Sequence, residues 1–338
     1  MLRELGHSVC LINPSYTKAQ RKMSSRHAKS DAADARALAR APFNMGQKAN
    51  HPADIPDGDR LNLQLLVRQR FVRVQAATGI KLRVIAWLGL TTPGLTDVVG
   101  TDLSRADRAL VSRYPVIAAL SSQGKESVQE FLHTCSDDEA FVLELEEQLM
   151  SLGNEAYSPQ GLDNNLVARQ IEMELEQLAL IEKHVAELDK SIDTLMARCD
   201  PEGLARTLPG VGPVVAAILV AEAGTDVSRF PDAARFASWT GLVGRSHGSS
   251  GKHVEGLPIT KAGRADVKWA LYMAAKTAAQ RDPQLKDLYD RLRAKDKSHH
   301  AALVAVGHKL ARWYWAIMTE RRPFEPRQPQ PEQLAEVT

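Results

Sequence analysis

The chain has 338 residues, of which 44% are hydrophobic and 25% charged, with a formal net charge of +2; that balance excludes a chain dominated by disorder and leaves room for two or more domains. Its three cysteines, Cys10, Cys135 and Cys199, stand far apart with no Cys-x-x-Cys pair, which argues against a zinc site or a disulfide framework and fits a reducing cytoplasm. No apolar run is long enough to cross a bilayer, and charges occupy the place of a signal peptide's apolar core, so a cytoplasmic protein with no membrane contact is expected.

In chain order, Leu2–Leu5 reads as a helix end and Val9–Ile12 as a buried strand closed by Asn13 and Pro14. A basic segment, Lys18 to Lys29, leads into Ser30-Asp31-Ala-Ala-Asp34-Ala-Arg-Ala-Leu-Ala-Arg40, whose alanines predict a helix. After a loop over 50–58, Leu61 to Trp87 is again helical. Its apolar set is Leu61, Leu65, Leu66, Val72 and Ile80, and its basic set is Arg68, Arg70, Arg73, Lys81 and Arg83. The expectation is a helix that packs inward and touches phosphates outward. Residues 91–160 say little.

The series Val167, Ile171, Leu175, Leu178, Ile181, Val185, Leu188, Ile192, Leu195 has a mean spacing of 3.5 residues, the coiled-coil period. Such a seam needs a partner. The same helix of a second subunit, residues 137–152 folding back, and burial within a single-chain bundle all satisfy it. From Pro201 the chain reads as helical apart from one Gly/Ser loop, and residues 327–338 read as a disordered tail. Lys/Arg against Asp/Glu number 15 to 6 over residues 1–90, 4 to 16 over 137–200 and 20 to 14 over 201–338. Two basic lobes flanking an acidic segment are expected to draw nucleic-acid phosphates.

Two stretches invite chemistry. In Leu208-Pro-Gly210-Val-Gly212, followed by the apolar run Pro213 to Glu222, the glycines permit a sharp turn. The amides opening the second helix can then receive a phosphate oxygen, as in a helix-hairpin-helix; a plain helix start with a buried face accounts for the same residues. In Gly241-Leu-Val-Gly-Arg-Ser-His-Gly-Ser249-Ser250-Gly-Lys252, with Ile259-Thr-Lys261-Ala-Gly-Arg264 after it, serine hydroxyls, glycine-freed amides and cations share one segment. A phosphodiester needs these groups for binding and for nucleophilic attack; a solvated loop is the plainer reading. His247 and His253 are candidate bases. Asp31 and Asp34 place two carboxylates on one helix face, suited either to sharing Mg²⁺ or to capping the helix start.

These motifs occur in an order that resembles the DEDD-type insertion-sequence transposases of the IS-one-ten group, nearest its IS-eleven-eleven branch. The run is Gly6-His-Ser-Val, Asn13-Pro14, Lys29-Ser-Asp31-Ala-Ala-Asp34-Ala, the long central helix, Leu208-Pro-Gly-Val-Gly, Phe236-Ala-Ser-Trp-Thr-Gly-Leu-Val, Ser249-Ser-Gly-Lys and Ile259-Thr-Lys-Ala-Gly-Arg. The resemblance covers nearly the whole chain. It implies a mainly α protein: a partial RuvC-like (RNase H) α/β domain over 1–92, a helical and coiled-coil linker over 93–200 that pairs subunits, and a helical transposase domain over 201–326. It also implies a recombinase directed by a structured bridge RNA, with DNA as substrate, Mg²⁺ on Asp31 and Asp34, and Ser250 forming a phosphoserine link. Ser249 is the alternative in register. Lys252, Lys261, Arg264, Gly210 and Gly212 are the residues expected to contact nucleic acid.

Family members carry about 60 residues more at the N-terminus, including strands that bear the first two carboxylates of the metal quartet. On that comparison this chain starts after both, and no strand cleavage is expected of it unaided. The rival reading, from a different class, is a non-catalytic remnant that binds nucleic acid and cuts nothing.

Overall fold

The computed structural model describes residues 5–6, 31–45, 56, 58–91, 94–116, 124–136, 138–154, 161–242, 247–249, 252–254 and 263–326. In chain order the helices are α1 (Asp31–Met45), α2 (Gly58–Thr91), α3 (Leu95–Val98), α4 (Arg105–Arg113), α5 (Lys125–His133), α6 (Glu139–Asn154) and α7 (Asn164–Cys199). A 3-10 turn at Leu204–Thr207 leads to α8 (Pro213–Ala223), α9 (Ala233–Thr240), α10 (Ala265–Arg281), α11 (Pro283–Ala294) and α12 (His299–Glu320). Between α9 and α10 two short strands, β1 (His247–Ser249) and β2 (Lys252–Val254), pair antiparallel. The described residues are thus mainly helical. The expected strand Val9–Ile12 and the tail 327–338 lie outside them.

The α2–α7 pair forms the spine, the most extensive packing between two elements. Three ion pairs set its direction: Asp59 with Arg198 at 3.0 Å, Arg70 with Asp189 at 2.5 Å and Arg83 with Glu174 at 2.7 Å. As the number rises on one helix it falls on the other, so the two run antiparallel. The 34 residues of α2 make a rod of about 50 Å at 1.5 Å per residue. At one end Leu63 and Val67 join Ile192 and Leu195 in the larger core; in the middle Ala77 and Ile80 pack on Leu178; at the other end Val84 and Leu88 join Val167 and Ile171 in a second core with α3–α6. Domain limits at 92/93 and 200/201 fall between helices, whereas both cores draw side chains across them.

The seam therefore has an in-chain partner, α2, which the sequence reading did not name. The charge pattern changes meaning too. The acidic segment contributes Glu174 and Asp189 to pairs with Arg83 and Arg70 of the basic helix, so these two α2 arginines face carboxylates of the same chain. Each such pair contributes about 1 kcal/mol at most; the stability lies in the apolar seam. Replacing Leu178, which is fully buried, by Lys puts a charge against Ala77 and Ile80. It is expected to destabilise the chain by at least about 2–5 kcal/mol, read as a lower urea midpoint. An unchanged midpoint with a drop in mass by light scattering would instead place the seam between subunits.

In the C-terminal body α8 is enclosed on all sides. Every residue from Val215 to Ala223 is buried, which explains why its sequence shows no polar face. Alanines 270, 274, 275 and 278 of α10 are likewise buried and let neighbouring backbones approach closely.

Candidate functional site

Glu222 is the last residue but one of α8 and the only charged one in the helix. A carboxylate in so apolar a run needs partners, because an unpaired buried charge costs several kcal/mol. It receives them from two directions. Arg68 donates from Nε to Oε1 at 2.9 Å and from its other nitrogen to Oε2 at 3.1 Å, Gln64 donates to Oε2 at 3.1 Å, and Arg264 lies 2.9 Å from Oε2. Arg264 also pairs with Asp266 at 2.8 Å. Burial by itself would lower the Arg264 pKa; the hydrogen bond to Asp266 and the charges of Glu222 and Asp266 outweigh it and leave the pKa raised.

The backbone end of α8 is served by the same set. Arg60 donates to the carbonyls of Ala221 and Glu222 at 3.3 and 3.1 Å, and Arg229 reaches the Glu222 carbonyl at 3.4 Å. Cations at a helix C-terminus match its dipole and satisfy its orphan carbonyls. Arg229 also lies over the rings of Phe230 and Trp239, 4.6 and 5.4 Å from their centroids, and burial pulls its pKa down to about 10. Tyr314, fully buried, donates to the Gly224 carbonyl at 2.9 Å, and burial pushes its phenol well up. Phe236 and Trp239, two residues of the motif Phe236-Ala-Ser-Trp239-Thr-Gly241, pack with Phe230 in this aromatic cluster. Their role here is packing.

This anchored region is the foot of the Gly/Ser loop. Gly241 ends α9 at φ 78°. Gly263 has φ +83°, and a Cβ on it would stand 2.9 Å from both the Gly241 Cα and the Thr240 carbonyl oxygen. Only glycine fits an approach that close at that dihedral. The two ends of the segment 243–262 are therefore pinched together, and the next residue, Arg264, is clamped by buried Glu222 and Asp266. Within the segment so flanked, the β1–β2 hairpin sets His247 opposite Val254, Gly248 opposite His253 and Ser249 opposite Lys252. The structure thus brings Ser249 and Lys252 together. Ser250 and Lys261 lie outside the described residues.

The other expected site residues stand elsewhere. Asp31 and Asp34 occupy the first turn of α1, Asp31 exposed and Asp34 half-buried, where they suit the positive end of the helix. Among the described residues no group of three His, Cys, Asp or Glu side chains is placed to hold a metal; these two carboxylates alone do not make up a Mg²⁺ ligand set. Gly210, at φ +75°, is pressed on α10, and Gly212 is the N-cap of α8, with Pro213 in the first turn. A four-residue 3-10 turn, rather than an α-helix, precedes that glycine turn. Asp200 holds it, accepting from the Leu204 and Ala205 amides at 3.1 and 3.0 Å.

Sequence reasoning passed over Glu222, Gln64 and Asp266 as site residues and read Arg68 only as one of the basic residues of α2 expected to touch phosphates. The legible signal was the single carboxylate inside the run Val214 to Ala223, since a buried charge implies partners. Nothing local pointed to residues more than 150 positions earlier.

Comparison with known proteins accords with this arrangement. Residues 203–290, from the 3-10 turn through most of α11, match the Transposase IS116/IS110/IS902 family, and residues 1–93 match the DEDD transposase profile of the IS110 group. A 43.6 kDa protein of insertion element IS110 from Streptomyces coelicolor is 26% identical over 310 residues, 91% of this chain and 75% of its own length. A probable family 20 transposase of Pseudomonas aeruginosa is 25% identical over 330 residues, covering 96% of this chain and 81% of the relative. A pilin gene-inverting protein of Moraxella bovis is 30% identical over 149 residues, 42% of this chain and 46% of that protein. The two family profiles fall on α1–α2 and on the body that clamps the hairpin, and the chain belongs to the IS116/IS110/IS902 family of transposases.

Proposed function

We propose that the chain is a DNA recombinase of an insertion sequence in which a hairpin serine, Ser250 or its neighbour Ser249, attacks a DNA phosphate. The serine oxygen bonds to phosphorus as the bond to one nucleoside oxygen breaks. The proton passes to the departing hydroxyl, and a covalent phosphoserine holds the strand until a second hydroxyl reverses the step. One observation carries this reading above the rest: the segment that holds the hairpin, in which Ser249 stands opposite Lys252, has its flanks held together at Gly241 and Gly263, and Arg264 beyond them is clamped to a buried carboxylate. A nucleophile on a fixed foot loses less entropy in reaching the reacting geometry. Lys252 and Lys261 are the cations that the same segment offers in sequence, and Arg264 serves chiefly as an anchor.

The RuvC-like form of the N-terminal region, Mg²⁺ held by Asp31 and Asp34 with further carboxylates, and a structured guide RNA belong to the same proposal and rest on the family. The metal would neutralise charge on the phosphate. Subunit pairing is supported by an outer stripe on α7, where Leu166, Met173 and Leu180, seven residues apart, are exposed.

The test uses the chain fused to the N-terminal strands that family members carry, incubated with Mg²⁺, the element's RNA and end-labelled DNA. A labelled band at the protein's mass on a denaturing gel is expected, absent in Ser250→Ala and present in Ser249→Ala. The reverse pattern moves the nucleophile to Ser249. A band that survives both substitutions refutes the serine mechanism, and nucleic-acid binding without any band favours the non-catalytic remnant.

A further inference from the structure

We propose that the aromatic corner where α10, α11 and α12 meet holds an unpaired nucleobase of single-stranded DNA by stacking. The choice of DNA as the partner rests on the function proposed above. Four rings drawn from the three helices form a continuous chain. The His300 ring lies nearly parallel to that of Tyr272, with centroids 6.0 Å apart and planes at 18°. His299 stands nearly perpendicular to His300 at 5.6 Å and 85°, and Tyr289 meets His299 at 5.8 Å and 81°. Two contacts fix the corner: Tyr289 Oη and His299 Nδ1 are 2.7 Å apart, and Ser298, the N-cap of α12, accepts from the Ala301 amide at 3.2 Å.

Exposure separates this chain of rings from the other aromatic cluster. Phe236 and Tyr314 are fully buried and serve packing, whereas His299 and His300 are exposed and Tyr272 and Tyr289 half-buried. The four rings already sit in the offset and edge-to-face arrangements that aromatic pairs favour, and each histidine still presents surface to solvent. Every base has a flat face that stacks on such a surface whatever the sequence. In a duplex the neighbouring pairs cover those faces, so the ligand is an unpaired base. Charge agrees with this choice. Lys276, one turn beyond Tyr272 on α10, and Lys295, four residues before His299, are exposed, and neither pairs with a carboxylate among the described residues. Asp287 and Asp290 of α11 are occupied by Arg291 and Lys286 at 3.0 and 3.1 Å, and within 291–300 the one acid is Asp296. The two lysines can therefore meet the phosphates that flank a stacked base. A single strand supplies the flat ring and the flanking negative charge together.

The experiment uses the full chain carrying Ser249→Ala and Ser250→Ala, so covalent capture contributes nothing and failure of the serine mechanism leaves the result intact. A fluorescent single strand of about 12 nucleotides and a duplex of equal length are titrated by anisotropy across a salt series. A strand carrying a purine analogue whose emission falls on stacking reports the contact itself. His300→Ala, at an exposed position, is expected to weaken single-strand binding about tenfold and to remove most of the emission change, with duplex affinity held within about twofold. His300→Phe keeps a flat ring without the imidazole nitrogens and should retain both signals. Lys276→Glu with Lys295→Glu should make the single-strand salt slope shallower by roughly 1.4. Parental single-strand affinity in His300→Ala overturns the proposal, and so does a His300→Phe variant as weak as His300→Ala, because the ring is then not the cause. An equal loss on the duplex, a loss confined to an RNA strand of the same sequence, or an unchanged slope in the lysine variant overturns it too. A parent that binds duplex and no single strand defeats this inference alone; a parent that binds neither defeats the reading of a DNA recombinase with it.

Discussion

Glu222→Ala is expected to remove about 3 kcal/mol of stability and to release the start of α2 from the C-terminal body. Breaking a buried ion pair from one side costs about 3–5 kcal/mol, because the surviving charges lose their partner. Here the lower end applies, since Arg68 and Arg264 keep 38% and 40% of their side chains exposed and recover part of their hydration. The carboxylate ties together Gln64 and Arg68 from α2, the end of α8, and Arg264 at the loop stem, so all three attachments weaken at once. Urea unfolding measures the loss, and amide exchange shows where it falls. Residues 58–68 and 263–266 should exchange faster than α12. Glu222→Gln keeps an acceptor and a similar shape, and should lose less than Glu222→Ala. A change below about 1 kcal/mol for the alanine variant would mean that water replaces the carboxylate without cost, contrary to its 4% exposure.

Gly210→Ala is expected to be as severe, for a different reason. The left-handed conformation costs a residue with a Cβ about 1–2 kcal/mol. The Cβ itself would lie 2.3 Å from the Ala274 carbonyl oxygen and 2.8 Å from the Ala278 nitrogen, both backbone atoms of α10. Neither can move without shifting the helix, so overpacking of about 1–3 kcal/mol adds to the strain. A loss of about 3 kcal/mol or more in chemical unfolding is predicted. Gly212, two residues on, is the contrast: its φ is −82° and a Cβ there meets nothing within 4 Å. Gly212→Ala, at an N-cap where glycine is preferred to alanine, should cost no more than about 1 kcal/mol. If it nevertheless abolishes DNA binding, the start of α8 is a phosphate site; if Gly210→Ala leaves stability unchanged, the close packing on α10 is wrong.

Much of this was legible in the order of residues. The 3.5-residue seam of α7, the basic helix α2 and the enclosed helix α8 are local patterns, and local patterns report which face of an element is buried. The glycine turn was legible as a turn, yet its purpose was not. Phosphate contact and close packing both call for glycine, and only the position of α10 shows that Gly210 serves packing. Asp31 and Asp34 read first as helix-start residues and only then as ligands, and their place in the first turn of α1 suits the first role. Arg264 read as a cation for nucleic acid, whereas the fold commits it to Glu222 and Asp266.

What the sequence by itself determined is the family, the long helices and the Gly/Ser segment that carries the candidate chemistry, because each depends on residues close together in the chain. What only the tertiary structure decided is pairing. The seam of α7 specifies an apolar partner of matching period and several helices meet that demand; the choice of α2 follows from the antiparallel match of Asp59, Arg70 and Arg83 to Arg198, Asp189 and Glu174. In the same way a carboxylate at 222 specifies a positive partner, and 43 Lys and Arg residues are on offer. Arg68 and Arg264, 154 residues before it and 42 after, meet it because burial in the low-dielectric body makes an unpaired charge far costlier than closing the chain between them.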